Sequence, residues 1–89
     1  MYFTSSSGNI ELNITKAQAA ACSHGGSCDR DVESLVADKK IVRQLNKIKP
    51  GILAEELRGY GAWDAEELKD LRQNYRRILW LACCDINER

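Results

Sequence analysis

Residues 22–29 read Cys-Ser-His-Gly-Gly-Ser-Cys-Asp and gather the densest set of groups in the chain that could do chemistry. Cys22, His24 and Cys28 are soft or borderline ligands on one short stretch. Cys83 or Cys84, far along the chain, could supply the fourth ligand of a tetrahedral zinc site. The spacing argues against that site. Zinc signatures usually pair ligands two to four residues apart at both ends, whereas Cys22 falls on an expected helix and Cys28 lies beyond the following turn. The favoured expectation is therefore no metal and no cofactor. Cys22, Cys83 and Cys84 are then small buried apolar groups, and His24 bonds locally in its turn. Zinc held by Cys22, His24, Cys28 and Cys83 is the alternative.

A nucleophilic reading makes Cys28 the attacking thiol, His24 its base and Asp29 the orienting group. Adjacency along the chain is not triad geometry, because such groups are generally brought together from separate segments. Asp29 and Asp31 also oppose the lowered thiol pKa that a helix N-terminus would give. The Gly-Gly-Ser turn could cradle an anion, but the same two aspartates already occupy that positive helix end. The sequence thus favours no catalytic residue and no enzyme.

A second chemistry-bearing stretch is basic. Residues 38–49 hold Lys39, Lys40, Arg43, Lys47 and Lys49 against Asp38, five cations and one anion, for a net of +4. Residues 55–70 hold Glu55, Glu56, Asp64, Glu66, Glu67 and Asp70 against Arg58 and Lys69, six anions and two cations, for a net of −4. The simplest account is neighbouring helices that face each other with opposite charge. A weak nucleic-acid contact through 39–49 is a further alternative, in which flanking helices would resemble a helix-turn-helix. Against it, the whole chain carries 13 basic and 13 acidic residues, so no global field draws it to nucleic acid or to an anionic membrane.

These groups need a scaffold, and the 89 residues allow a single small domain that buries about 60 to 65% of its extended surface. The composition, 44% hydrophobic and 29% charged, is that of an ordinary globular chain. The N-terminal stretch lacks the pattern of a secretory signal, no run approaches a membrane span, and cytoplasmic placement is expected, with the four cysteines as thiols or ligands. Residues 1–8 read as a flexible arm and 9–89 as one helical domain. Ile10, Leu12 and Ile14 alternate with Glu11 and Asn13, the period of a half-buried strand. Its partner is either 2–4 folded back, another chain, or simple packing on helices.

Thr15 with Gln18 forms a capping box for a first, small-sided helix. His24-Gly25-Gly26 stops it, and a second helix follows with Val32, Leu35 and Val36 inward. Asp38 can cap a third helix carrying Ile41, Val42, Leu45 and Ile48, although the second and third could be one bent segment. Pro50 opens a fourth, which ends at Gly59. Over 60–86 the chain reads as one long helix capped by Asp64, with Glu67 completing the box and Trp63 and Leu68 as the staple. Leu68, Leu71, Tyr75, Ile78, Ala82 and Ile86 make its apolar stripe, and about 22 helical residues span roughly 33 Å. The expected fold is all-α: a compact bundle of four to five helices with a long C-terminal helix, preceded by a short extended N-terminal segment. Around Ile78, Trp80, Leu81 and Cys84 that helix is apolar all round, more than a lone small domain easily hides. Those four residues are the expected contact for a protein partner, not yet identified, or for a homodimer.

Residues 23–32, residues 60–68 with their Tyr-Gly-Ala-Trp-Asp core, and Asn74, Arg77, Trp80, Ala82 and Asp85-Ile86 resemble a group of small uncharacterised proteins of bacteria and their phages or prophages. The resemblance covers most of 10–86 and implies a bacterial or phage cytoplasmic setting. It carries over no activity and no functional residue, and Cys22 and Cys83-Cys84 stand outside its pattern. The functional expectation is a non-enzymatic helical protein-interaction module, such as a phage or prophage accessory protein that binds a host or phage protein.

Overall fold

The computed structural model describes residues 2–21, 32 and 35–88. Two strands, β1 (Tyr2–Thr4) and β2 (Glu11–Asn13), precede α1 (Lys16–Ala21), α2 (Lys39–Asn46), α3 (Pro50–Gly59), a 3-10 turn at Glu67–Lys69 and α4 (Leu71–Asn87). The chain is mostly helical, with the longest helix at its C-terminal end. It is not all-α, because β1 and β2 pair antiparallel with Phe3 opposite Leu12.

The hairpin settles what pairs with the alternating strand. Ile10, Leu12 and Ile14 are each 1% exposed while Glu11 and Asn13 face solvent, the alternation that a period of two demands. Phe3 joins them in the core, so residues 2–8 are half of a hairpin and not an arm. The serines that suggested an arm build its turn. Ser5 donates its N–H to the Ile10 carbonyl at 2.9 Å, its hydroxyl accepts from the Ile10 N–H at 3.1 Å, and Gly8 takes the left-handed φ of 80°.

Local capping chemistry sets the helix starts. The Thr15 hydroxyl accepts from the Gln18 N–H at 3.1 Å, and the Gln18 Oε1 accepts from the Thr15 N–H at 2.9 Å, a complete capping box. Val32, Leu35 and Val36 are helical, with Val32 and Leu35 in the core. Asp38 then turns extended, at φ −76° and ψ 120°, and its carboxylate accepts from the Lys40 and Ile41 N–H groups. The segment bearing Leu35 and the helix after Asp38 are therefore separate. Lys49 is extended before Pro50, which takes the first position of α3.

The long helix starts later than the sequence suggests. Asp64 does accept from the Glu67 N–H at 2.9 Å, but Glu67 opens only the 3-10 turn at Glu67–Lys69 and not the long helix. Asp70 is extended and caps α4 proper, accepting from the Arg72 and Gln73 N–H groups. The 17 residues of α4 span roughly 26 Å rather than 33 Å. The phase of its buried stripe also shifts, to Asn74, Ile78, Leu79, Ala82, Cys83 and Ile86, while Leu71 is exposed and Tyr75 half-buried. From 74 to 86 no residue of α4 is fully exposed, because α1, α3, β1 and the 3-10 turn all pack on it. α1 is tied to its end, with Asn87 Nδ2 donating to the Ala19 carbonyl at 2.8 Å.

Candidate functional site

An open groove of 910 Å³ lies between the hairpin and α2. Its floor is fixed by side-chain amides. Gln44 Oε1 accepts from the Asn13 N–H at 2.7 Å and Gln44 Nε2 donates to the Asn13 carbonyl at 3.0 Å, so α2 completes the outer edge of β2 at that residue. At the other end Gln18 Nε2 donates to the Asp38 carboxylate at 3.2 Å, joining the start of α1 to the start of α2. Ile41 is buried beneath.

The rim is cationic. Lys39, Lys40, Arg43 and Lys47 are all exposed, and none forms an ion pair among the described residues. Lys40, Arg43, Gln44 and Lys47 follow the i, i+3, i+4, i+7 spacing of a single helix face. The acid on this face, Asp38, already serves as the α2 cap. Opposite charge on 55–70 does not come to meet these cations. Lys69 instead pairs with Glu66 at 3.0 Å, inside its own turn. What results is a patch of positive potential beside a groove that offers amide and hydroxyl groups, together with Tyr2, 58% exposed. The chemistry of such a surface is complementary to anionic groups. Arg43 can bind a carboxylate in a two-point fork, and the lysines act as hydrated point charges.

The residues singled out from sequence fall elsewhere. Cys22, His24 and Cys28 lie outside the described residues, as do Asp29 and Asp31, while Cys83 is fully buried in the core. Among the described residues no group of three or more His, Cys, Asp or Glu side chains could hold a metal ion. Of the four expected partner-contact residues, Ile78 is fully buried in the domain's own core; Trp80, Leu81 and Cys84 are half-buried. Trp80 is covered on one side by Trp63, edge to face with ring centroids 6.1 Å apart, and the Arg77 guanidinium stands 5.3 Å from the Trp63 ring centre. The connector thus folds back to cover apolar surface that the sequence left without a partner.

What the sequence reading missed is the second wall of the groove. The charge pattern on 39–49 was visible, but the amides of Gln44 and Asn13 meet across 31 residues, and no local signal announces that pairing. Comparison with protein-family models, with curated proteins and with solved structures finds no match. Among the described residues no helix is long and apolar enough to cross a membrane.

Proposed function

We propose that this chain is a non-enzymatic interaction module that docks an acidic segment of another protein along the groove between β2 and α2. The observation that carries the reading is the set of four exposed cations, Lys39, Lys40, Arg43 and Lys47, without an ion pair among the described residues and arrayed beside a groove. Like charges at i, i+3 and i, i+4 destabilise a helix by a few tenths of a kcal/mol per pair. A face that carries them without compensation is suited to charge supplied from outside.

An acidic protein segment fits better than nucleic acid. The chain is neutral overall, so the long-range attraction on which backbone binding to DNA or RNA depends is missing. Addition of a further strand at Asn13 is also blocked, since Gln44 occupies both of its outward backbone groups. Recognition then runs through side chains, with carboxylates meeting Lys40, Arg43 and Lys47 at axial intervals of roughly 4.5 to 6 Å. In the finer reading, the module is a phage or prophage accessory protein working in the bacterial cytoplasm on a host or phage protein.

The test is a titration of the isotope-labelled chain with a glutamate-rich peptide and, separately, with a single-stranded oligonucleotide, followed by NMR. Peptide-induced shifts confined to 38–47, Asn13 and Tyr2, suppressed by Lys40→Glu with Arg43→Glu, support the proposal. Stronger binding of the oligonucleotide at the same residues, or no shifts with either probe, overturns it.

A further inference from the structure

The basic groove does not end at Lys47. A second concavity shares Gln44 and Lys47 with it, and a third shares Asn9 and Ile52 with the second, so the three run end to end beside the hairpin. Charge changes sign along this belt. The first stretch has four cations against Asp38, and the middle has Lys47 and Lys49 against Glu11. The last has Glu55 and Glu56 with no cation among its described lining residues.

One detail marks the belt as unfinished. Ile52, where the middle and acidic stretches join, is 36% exposed, one of three large apolar side chains so open among the described residues.

We propose that this belt is an isologous contact between two copies of the chain, related by a two-fold axis near Ile52. An isologous contact uses one patch twice, so the patch must match itself after a half-turn. A surface ordered as basic, apolar, acidic does so. The rotation sets Ile52 against its counterpart and brings Lys49 of each copy to Glu55 of the other, with Lys47 directed to the Glu56 end. It also accounts for a chain with strong local charges of both signs and a net charge of zero. A partner of single sign lying along the whole belt would satisfy one end and repel the other, so the acidic segment proposed above is confined to the basic stretch. This inference shares Lys47 with the acidic-partner reading, but Lys49, Ile52 and Glu55 belong to the dimer contact alone and Lys40 and Arg43 to the acidic-partner reading alone, so variants at those positions separate the two.

Sedimentation velocity on the full chain, over a concentration series in low and in molar salt, reads the association directly. Expected is a reversible dimer that salt weakens, since screening at 1 M shortens the reach of charge to about 3 Å. Lys49→Glu alone and Glu55→Lys alone each place like charges opposite twice per dimer and weaken association about tenfold or more. Mixed in equal amounts, the two variants restore both attractive pairs and form a heterodimer of native strength. Ile52→Asp also yields a monomer, with circular dichroism checking that each variant remains folded. A native chain that stays monomeric throughout, charge variants that dimerise as the native chain does, or a mixture that remains monomeric would each overturn the proposal.

Discussion

Gln44 holds Asn13 by both of its outward backbone groups, accepting from the N–H at 2.7 Å and donating to the carbonyl at 3.0 Å. A side-chain amide thereby serves as a one-residue strand at the edge of a two-stranded sheet. It also fastens the hairpin to α2, and the groove exists because those two elements stay together. Gln44→Ala removes two partly solvated hydrogen bonds and should lower unfolding free energy by about 1 kcal/mol. Urea denaturation should show the midpoint falling with an unchanged slope. Gln44→Glu, which keeps an acceptor but loses the donor to the Asn13 carbonyl, should fall between the two. An unchanged midpoint for Gln44→Ala would mean that water replaces the amide without loss.

The two aspartates before α4 have different roles, and their substitutions should differ accordingly. Asp70 accepts from two N–H groups at the true start of the 17-residue helix, whereas Asp64 accepts from one at the start of a 3-10 turn. Asp70→Ala should cost about 1 kcal/mol, in the usual range for a lost N-cap, and Asp64→Ala clearly less. Thermal unfolding followed by circular dichroism distinguishes them. The reverse order would place the helix start at Asp64.

That pair also shows how far the fold was legible. Asp64 with Glu67 and Asp70 with Arg72 and Gln73 are both sound local start signals, and periodicity runs through both. Sequence alone cannot say that the chain turns extended at Asp70, because the choice depends on Asn74 and Arg77 capturing the carbonyls of the turn. Strictly local features read well: the Thr15 and Gln18 box, the Asp38 cap, Pro50 at the head of α3 and the alternation of Ile10, Leu12 and Ile14. Features made by distant residues did not. Residues 2–4 are one of three partners that the alternation of Ile10, Leu12 and Ile14 allows, and only the pairing of Phe3 with Leu12 selects the hairpin. The candidate site was half visible for the same reason, its charges being local and its second wall lying across the sheet edge.

Asn74 is the polar residue inside the α4 stripe, 2% exposed, with Nδ2 donating to the Leu68 carbonyl at 2.7 Å and Oδ1 within 3.4 Å of Arg77. Arg77 in turn donates to the Glu67 carbonyl at 2.6 Å. The two side chains hold the 3-10 turn on α4 and with it the connector that brings Trp63 over Trp80. Asn74→Leu, similar in size, should cost about 1–3 kcal/mol because the Leu68 carbonyl is left buried and unpaired. Tryptophan emission should shift to the red as the connector loosens. Destabilisation with unchanged emission would mean that Trp63 is held by the aromatic contact alone.

A binding face and a structural face respond differently to the loss of charge at Arg43. Arg43 has Lys39 and Lys47 four residues away on either side and Lys40 three away, so it sits amid like charge on an exposed helix face. Were this face structural, neutralising Arg43 would lower stability. Electrostatics nearly cancels: Arg43→Gln removes three repulsive spacings but also the one cation in the last turn of α2, so unfolding free energy should change by no more than about 0.5 kcal/mol. Both contributions should shrink in high salt. The same substitution should weaken the glutamate-rich peptide, since the two-point fork is lost and glutamine returns no charge. Near-native stability together with weaker peptide binding identifies a surface kept for a partner, whereas a loss of more than about 1 kcal/mol would return Arg43 to the scaffold.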